Sequence, residues 1–303
     1  MKNYHYQNLP TMDALLELKA QLGISIGLGL PVLNEEATIG RVVECARSCQ
    51  PLIDKIMVFD SGSTDRTSQI CKQLRVPFIS DAEAAKTLSV TLARGKGWNL
   101  WSSLYYLDCD VVGWIDTDIE NIHTRFILGI LAPLLLDPQT TFVKAYYKRP
   151  KGDARVTEIL ARPFLNLIFP EAAEFIQPLS GEYAGRRIFL ESATFYSGYS
   201  VEIALLLQAI LEQSPENVAQ VYLDQRIHPL QDVPSLGLMA SSILYTLMRL
   251  AQRYGRLKML TDIRQHIKRF GATIGNGDDI STETISIADV ALPPMRHQRM
   301  LGK

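Results

Sequence analysis

The sequence predicts an α/β protein with a mostly parallel sheet flanked by helices on both faces. Short apolar runs alternate with segments of helical spacing over residues 23–150, and this alternation is typical of parallel strands joined by crossover helices. The chain has 303 residues, of which 47% are hydrophobic, which suits a large domain with a sizeable core. No internal repeat or long linker divides the chain, so we expect one continuous unit.

The elements follow from local composition, taken in chain order. Runs rich in Ile, Leu, Val and Gly predict strands over residues 23–33, 55–59, 76–79 and 110–115. Helical spacing predicts helices over residues 37–47, 66–74, 98–106 and 125–135. We also predict a strand over 141–147 and, beyond Pro150, a strand over 218–223, helices over 154–169, 201–212 and 236–254, and a polar turn over 177–187.

Polar residues follow three of the predicted strands at the point where each strand ends. Asn34-Glu35-Glu36 follow the first strand, Asp60 to Asp65 end the second, and Asp116-Thr117-Asp118 follow the run that ends at Ile115. Ligands of parallel α/β sheets bind beyond the carboxyl ends of the strands. The sequence therefore predicts a shared site at this edge.

The Asp116-Thr117-Asp118 segment is a candidate metal site. Two carboxylates flanking one residue can hold a divalent cation against a phosphate, although such a tripeptide also occurs in solvated turns that cap a helix. His228 follows a predicted strand and is a sensible further ligand, because Mg²⁺ and Mn²⁺ take few protein ligands and complete their shell with phosphate oxygens.

Other residues have a functional and a purely structural interpretation. Ser61 and Asp60 can bond a base or ribose, or cap a helix. Lys96, between two glycines, can reach a phosphate or lie exposed in a turn. Arg155 and Thr157 can hold a phosphate or carboxylate, since guanidinium binds both through a planar fork of donors, or belong to a capped helix. Glu202 can contact substrate or oppose a helix dipole.

Composition excludes some function classes. The net charge is −1, so no overall basic field favours nucleic acid. The cysteines Cys45, Cys49, Cys71 and Cys109 lack zinc-ribbon spacing, which favours free thiols in a reducing cytoplasm. The first residues lack the apolar core of a signal peptide, and the apolar run 126–136 is too short to cross a bilayer of about 30 Å. We therefore expect a cytoplasmic protein without a membrane anchor.

Several segments together resemble a known family. Residues 31–36, 60–65 and 115–118 resemble the donor-site motifs of GT-A glycosyltransferases. Residues 155–158, 161–163, 177–184 and 198–202 are more specific and resemble glucosyl-3-phosphoglycerate synthases, the segment Gln177 to Ala184 most narrowly. The resemblance runs from about Pro31 to about Met239.

The resemblance implies a retaining transfer of glucose from UDP-glucose to the 2-hydroxyl of 3-phosphoglycerate, with Mg²⁺ (or Mn²⁺). It implies a GT-A-type, Rossmann-like sheet with a smaller acceptor-binding α/β part and a C-terminal helix. It also implies a homodimer, with the 236–254 helix and the tail as candidate contact surface. The chain would then comprise an N-terminal extension (1–22), a donor-binding region (23–150), an acceptor-binding and helical region (151–270) and a tail (271–303), expected to be poorly packed or an arm to a partner subunit.

The resemblance also assigns roles to residues. The donor would meet Pro31, Leu33, Glu35, Ser61, Lys96, Asp116, Thr117, Glu202 and Arg226. The acceptor would meet Arg155, Val156 and Thr157, and the metal would meet Asp118, His228 and Asp116. Lys96, Asp118, Glu202 and Arg226 are the residues expected to act in catalysis.

The chain departs from the family pattern at Ala154 and Ser200, where Gly is usual, and at Leu230, where a polar residue is usual. The added side chains could crowd a ligand that approaches the backbone, so GDP-glucose, GDP-mannose and free glycerate stay open as alternative substrates. A non-catalytic nucleotide-sugar sensor is a further alternative, although this chain keeps Asp118 and His228. A sugar nucleotidyltransferase is disfavoured, since Asn34-Glu35-Glu36 stand where its Gly-rich basic loop belongs.

Overall fold

The structure of the protein, a computed structural model, describes residues 1–148, 155–229, 231–258, 266–272, 280–287 and 289–301. The strands of its largest sheet are β1 (Lys2–His5), β2 (Ile26–Val32), β3 (Lys55–Asp60), β4 (Phe78–Ser80), β5 (Val111–Trp114), β6 (Phe142–Lys148), β7 (Tyr183–Arg186) and β9 (Val218–Gln225). Two small sheets pair β8 (Phe195–Tyr196) with β12 (Ala291–Leu292), and β10 (His266–Ala272) with β11 (Ile280–Ser286).

Helices connect and cover these strands. They are α1 (Met12–Leu22), α2 (Ile39–Ser48), α3 (Thr67–Gln73), α4 (Asp81–Leu88), α5 (Lys96–Leu107), α6 (Thr124–Leu136), α7 (Arg162–Ile168), α8 (Arg187–Ser192), α9 (Val201–Gln208), α10 (Val233–Arg253) and α11 (Met295–Leu301). Short π-helical turns at Thr157–Ala161 and Ala209–Gln213 precede α7 and continue α9.

The large sheet has the strand order β1-β9-β6-β7-β5-β2-β3-β4. Only β7 of these runs antiparallel to its two neighbours, and the other pairings are parallel. The predicted mostly parallel sheet is therefore confirmed. Since Val32 pairs with Asp60 and Gly29 with Trp114, the residues that follow β2, β3 and β5 leave the sheet at one edge.

Each face of the sheet has its own apolar core. Leu15, Val43 and Ile130, from α1, α2 and α6, belong to one buried cluster. Trp101 and Ile203, from α5 and α9, belong to the other. Burial of apolar side chains on both faces explains why the strands read as nearly continuous apolar runs.

The prediction missed several elements. The predicted polar turn 177–187 is wrong in part, because Tyr183–Arg186 forms β7 in the middle of the sheet. Its Tyr-Ala-Gly-Arg sequence is too short to show an alternating pattern, and pairing on both sides defines it instead. The strand β1 and the helices α1, α4 and α8 were not predicted either.

Both ends of the chain join the fold. Residues 1–22 include β1, which pairs with β9 at the edge of the large sheet. The expectation of a poorly packed tail is wrong for its described last part: β12 pairs with β8, and Met295 is buried. The division into donor-binding and acceptor-binding regions stays a prediction.

Among the described residues, α10 is long and apolar enough to cross a membrane by length and composition alone. In this structure 33% of its most apolar stretch is buried, and its residues Ile243, Leu247 and Leu250 lie in the core. Core helices pass the same test of length and composition. The expected absence of a membrane anchor stays a prediction.

Candidate active site

A cleft of about 610 Å³ opens at the carboxyl ends of the parallel strands. It brings together the residues to which the family resemblance assigned a donor, acceptor, metal or catalytic role: Pro31, Leu33, Glu35, Ser61, Lys96, Asp116, Thr117, Asp118, Arg155, Val156, Thr157, Glu202, Arg226 and His228 line it. These residues come from segments that are up to about two hundred positions apart along the chain. Convergence of this kind is what the strand-end argument predicted.

The turns after β2 and β3 form one end of the cleft. The Asp60 carboxylate accepts bonds from the N–H groups of Gly62 and Ser63, at 3.1 and 3.0 Å, so Asp60 stabilises the turn rather than a ligand. Ser61 lines the cleft, and its hydroxyl accepts a bond from Asn99 Nδ2 at 2.8 Å. The Thr117 hydroxyl donates to the Pro31 carbonyl at 2.8 Å and fixes the two strand ends together.

Glu35 lies in the same end of the cleft. Burial, and next the charge of Asp118, raise the pKa of Glu35 to about 7, and a hydrogen bond from the Thr38 hydroxyl at 3.0 Å opposes the increase. A carboxyl group that gains a proton near neutrality can either donate or accept a hydrogen bond. Both options suit the polar edge of a nucleobase.

Lys96 begins α5 and projects into the middle of the cleft. Its ammonium group pairs with Asp116 and, at 2.8 Å, with Glu202 Oε1. Although burial by itself would lower the pKa of Lys96, these carboxylates hold it well above its ordinary value. The next residue of α5 packs tightly, since a Cβ on Gly97 would lie 1.7 Å from the Tyr196 carbonyl oxygen. Lys96 is therefore a fixed cation.

Arg226 is the second fixed cation of the cleft. Its Nη2 donates to Asp118 Oδ1 at 2.7 Å and to Asp116 Oδ2 at 3.1 Å, and its Nε lies 3.1 Å from Glu182 Oε1. The guanidinium is also 5.4 Å from the centre of the Tyr147 ring, within the range of a cation–π contact. Only 4% of Arg226 is exposed, so these partners must stabilise a buried charge.

The two aspartates of the Asp-x-Asp segment differ in their surroundings. Burial alone would raise the pKa of Asp116, but Lys96 and Arg226 lower it to about 2. Both of its oxygens already face a cation. Asp118 pairs with Arg226 through Oδ1, and its Oδ2 lies 3.8 Å from His228 Nδ1.

The Asp118–His228 pair fits a cation that is held mainly by its ligand. Among the described residues no group of three or more His, Cys, Asp or Glu side chains forms a metal cage. One carboxylate and one imidazole, with Asp116 beside them, match the small protein share of a Mg²⁺ or Mn²⁺ shell. His228 Nδ1 also lies 2.9 Å from the Pro229 carbonyl, which restrains the orientation of the ring.

The residues expected to hold the acceptor line the same cleft but come from a different segment than the turns after β2 and β3. Arg155 and Val156 directly precede the π-helical turn that begins at Thr157, and all three residues line the cleft. Arg155 Nη2 donates to the Gln231 carbonyl at 2.9 Å, which brings this turn and the start of α10 together.

The structure bears on one of the three departures from the family pattern. Ala154 and Leu230 lie outside the described residues. Ser200 is fully buried and its hydroxyl bonds Asp289. The expectation that Ser200 crowds a ligand is therefore wrong, because its side chain is turned into the protein.

Sequence reasoning missed several polar residues in or near the cleft. Glu182 is fully buried beside Arg226, and Lys144 is 1% exposed and donates to the Ser180 carbonyl at 2.6 Å. Tyr199 lines the cleft and is 46% exposed. A lysine inside the apolar strand 142–147 was the available signal for Lys144, since an unpaired charge is rarely buried.

Comparison with known proteins places this geometry in context. Residues 28–192 match the family described as glycosyl transferase family 2. A curated relative from Petrotoga mobilis, named glucosyl-3-phosphoglycerate synthase, is 40% identical over 275 residues, which cover 86% of this chain and 84% of that protein.

Solved structures of glucosyl-3-phosphoglycerate synthase from Mycobacterium tuberculosis share the fold. One contains Mn²⁺, UDP and glucosyl-3-phosphoglycerate, with 33% identity, TM-score 0.88 and coverage of 99% of this chain and 100% of that chain. A second contains Mn²⁺, UDP-glucose and phosphoglyceric acid, with 33% identity, TM-score 0.86 and 99% coverage of both chains. A third contains Mg²⁺ and UDP, with 34% identity, TM-score 0.88 and coverage of 98% and 99%.

Proposed function

The chain belongs to glycosyl transferase family 2 and, within it, to the glucosyl-3-phosphoglycerate synthases, and we propose that its cleft transfers glucose from UDP-glucose to the 2-hydroxyl of 3-phosphoglycerate. The reaction depends on a divalent cation, Mg²⁺ or Mn²⁺. The observation that carries the proposal is the convergence in one cleft of a buried cation pair, Lys96 and Arg226, with Asp118 and His228.

We propose that the donor lies along the strand ends. Pro31, Leu33, Glu35 and Ser61 would contact the uridine, and Asp116 and Thr117 would lie beneath the ribose and diphosphate. Lys96 and Arg226 are placed to balance the charge of the diphosphate, which grows as the glycosidic bond breaks. Asp118 and His228 would hold the cation, which neutralises the leaving diphosphate when bound.

We propose that the acceptor lies opposite, with its phosphate and carboxylate on Arg155 and Thr157, and with Val156 against its carbon chain. Arg155 supplies a planar fork of donors that suits both anionic groups. Placing the acceptor hydroxyl beside the sugar carbon converts a two-molecule reaction into an effectively one-molecule step.

The surroundings of Glu202 favour front-face transfer with retention. Its carboxylate is 5% exposed and lies 2.8 Å from the Lys96 ammonium, so it suits binding of sugar hydroxyls better than nucleophilic attack. The bond from the sugar carbon to the diphosphate oxygen breaks as the acceptor oxygen bonds to the same face, and the acceptor proton passes to the leaving diphosphate. A covalent sugar on Glu202, detected by mass spectrometry, would contradict this route.

The deciding experiment is product formation from UDP-glucose and 3-phosphoglycerate with Mg²⁺, with and without EDTA. We expect a phosphorylated glucoside that disappears with EDTA. Glycerate, GDP-glucose and GDP-mannose run in parallel test the alternative substrates. Tight binding of UDP-glucose without turnover of any pair would instead favour a nucleotide-sugar sensor.

We further propose that the enzyme acts as a cytoplasmic homodimer. The support is family resemblance together with exposed apolar side chains, such as Val233 at the start of α10, which is 67% exposed. The alternative is that α10 serves as an intramolecular core helix alone, and three of its residues, Ile243, Leu247 and Leu250, do lie in the core. Light scattering coupled to gel filtration distinguishes a dimer from a monomer.

A further inference from the structure

A C-terminal strap, residues 289–292, lies against the loop between β8 and α9. The last two residues of the strap form β12, which pairs with β8 in an antiparallel ladder. The Ser197 N–H donates to the Val290 carbonyl at 3.0 Å, and the Val290 N–H donates to the Ser197 hydroxyl at 3.1 Å. The strap therefore holds the backbone of this loop through two hydrogen bonds at Ser197.

One carboxylate of the strap holds the residue in front of α9. Asp289 Oδ2 accepts bonds from the Ser200 hydroxyl and, at 3.3 Å, from the Ser200 N–H. Asp289 Oδ1 accepts a bond from the Ser242 hydroxyl of α10 at 2.9 Å, and the Thr246 hydroxyl donates to the Ser200 hydroxyl at 2.9 Å. Because Ser200 and Thr246 are fully buried, these charge-assisted bonds are shielded from water and correspondingly strong.

The same loop carries the Lys96–Glu202 pair of the cleft. Ser200 is the last residue before α9, and Glu202 is the second residue of that helix. On the other side the Ser197 carbonyl accepts a bond from the Trp98 N–H at 3.0 Å, two residues beyond Lys96. Loop 197–200 therefore directly precedes the helix that carries Glu202 and is hydrogen-bonded to the first turn of the helix that carries Lys96.

The packing leaves this loop no room to shift. A Cβ on Gly198 would lie 2.3 Å from Asp289 Oδ1, and a Cβ on Gly97 would lie 1.7 Å from the Tyr196 carbonyl oxygen. The loop therefore packs against the strap and against the first turn of α5. Movement of either neighbour must move the loop.

We infer that Asp289 is a positioning residue for the transfer reaction: through Ser200 it fixes loop 197–200, and with that loop the orientation of Lys96 and Glu202. The inference rests on the proposed function of the cleft. Ser200 stands where the family pattern usually has Gly. The hydroxyl group that bonds Asp289 is therefore a feature of this chain and not of the family pattern.

The test compares Asp289→Ala, Asp289→Asn and Ser200→Gly in the full-length chain, with UDP-glucose, 3-phosphoglycerate and Mg²⁺. We expect Asp289→Ala to lower kcat about tenfold, since a small misplacement of reacting groups is costly. The KM for 3-phosphoglycerate should change by less than about twofold, because Arg155 and Thr157 belong to another element and uniform binding is unaffected. Asp289→Asn should recover part of kcat, because its amide oxygen still accepts a bond.

Ser200→Gly supplies the coupling test. With the hydroxyl removed, Asp289→Ala should cost clearly less than in the wild-type background, since contacting residues are not additive. Equal losses in both backgrounds would overturn the inference. Ser241→Ala is the matched control, because that neighbouring serine donates to the Gly237 carbonyl at 2.8 Å within α10, and its kcat should equal that of the wild type.

A second measurement tests the anchoring of the loop without relying on the proposed enzymatic activity. Hydrogen exchange of the unliganded protein should be faster over residues 197–204 in Asp289→Ala than in the wild type. Faster exchange with an inactive wild-type enzyme would refute the proposed function and leave the anchoring of the loop intact. An unchanged kcat in Asp289→Ala, with a lower melting temperature, would show that the contact is structural only and overturn the inference.

Discussion

The two halves of the molecule position the cleft by different means. In the amino-terminal half, residues 26–136, site residues lie in the turns directly after β2, β3 and β5 or at the start of α5. In the carboxyl-terminal half, residues 142–301, buried charged residues are held by partners far away in sequence, as Arg226 is by Asp116 and Asp118, more than a hundred positions distant.

This difference has an energetic consequence. Asp118, after the end of β5, has a side chain that is 31% exposed, so its replacement should mainly affect ligand binding and catalysis. A buried charge such as Arg226 contributes to the site and also satisfies its neighbours, so its removal leaves those neighbours unpaired at a cost in stability. Replacement of Asp118 should therefore lower activity with little loss of stability, whereas replacement of Arg226 should lower both.

Asp118→Ala tests the amino-terminal half and should have the largest effect on rate. Loss of the carboxylate expected to hold the cation should lower kcat by about a thousandfold or more. The melting temperature should change little, because 31% of this side chain is exposed. The assay is formation of the phosphorylated glucoside with Mg²⁺.

Asp110→Asn is the matched control for that variant. Asp110 precedes the same strand at its opposite end and accepts bonds from Ser25 at 2.8 and 2.7 Å, outside the cleft. It should retain wild-type kcat. Activity of Asp118→Ala within tenfold of the wild type would contradict the assignment of Asp118.

Arg226→Met tests the carboxyl-terminal half and should reduce both kcat and the free energy of unfolding. We expect kcat to fall by roughly a hundredfold or more, since a charge that balances the leaving group is lost. We also expect a loss of about 3–5 kcal/mol in the free energy of unfolding, the usual result of breaking a buried ion pair. Denaturant unfolding and product formation measure the two effects on the same samples.

Arg249→Met provides the comparison, because Arg249 is exposed on α10. It should change neither measurement appreciably. If Arg226→Met lost activity with unchanged stability, the proposed difference between the two halves would be refuted.

Gly181→Ala sharpens the comparison at the point where the halves meet. A Cβ on Gly181 would lie 1.9 Å from Asp116 Oδ2, so Asp116 must move away from Lys96 or Arg226. We expect kcat to fall by roughly ten- to a hundredfold, as for other small displacements of reacting groups. Gly237→Ala is the control, since its Cβ would meet nothing within 4 Å; an equal loss in both variants would contradict the steric argument.

The same contrast explains what the sequence could predict. Strands β2, β3 and β5 were predicted because they are apolar runs of sufficient length, and the residues after them could be placed at one edge because parallel strands end together. The antiparallel β7 was missed, since its four residues acquire their place through pairing with β5 and β6.

The roles of single residues show the same limit. The family resemblance placed Arg226 near the diphosphate, but its contact with Glu182 depends on two strands that the prediction did not bring together. Likewise, nothing local to Asp289 or Ser200 indicates that they bond across 89 positions of sequence. Contacts of this kind follow from the folded arrangement rather than from periodicity.

Replacement of Lys144, a buried residue of the carboxyl-terminal half, should have the smallest effect. The expected effect is a change in how the free energy of unfolding depends on pH. Burial, partly opposed by the nearby Glu202, lowers the pKa of Lys144 from 10.5 to about 7. Between pH 7 and pH 10.5 the unfolded chain therefore binds more protons at this lysine than the folded protein does. By linkage, the free energy of unfolding gains a contribution that increases with pH in this window.

Comparison of the wild type with Lys144→Met isolates that contribution. The difference in unfolding free energy should shift in favour of the wild type by about 1 kcal/mol per pH unit above neutrality. Below pH 7 the lysine is charged in both states, so the difference should become constant. Lys148→Met, at the exposed end of the same strand, should show no such slope. A flat difference for Lys144→Met would mean that Lys144 stays charged when buried, held by the Ser180 carbonyl and the Tyr183 ring, and would make it a third fixed cation beneath the cleft.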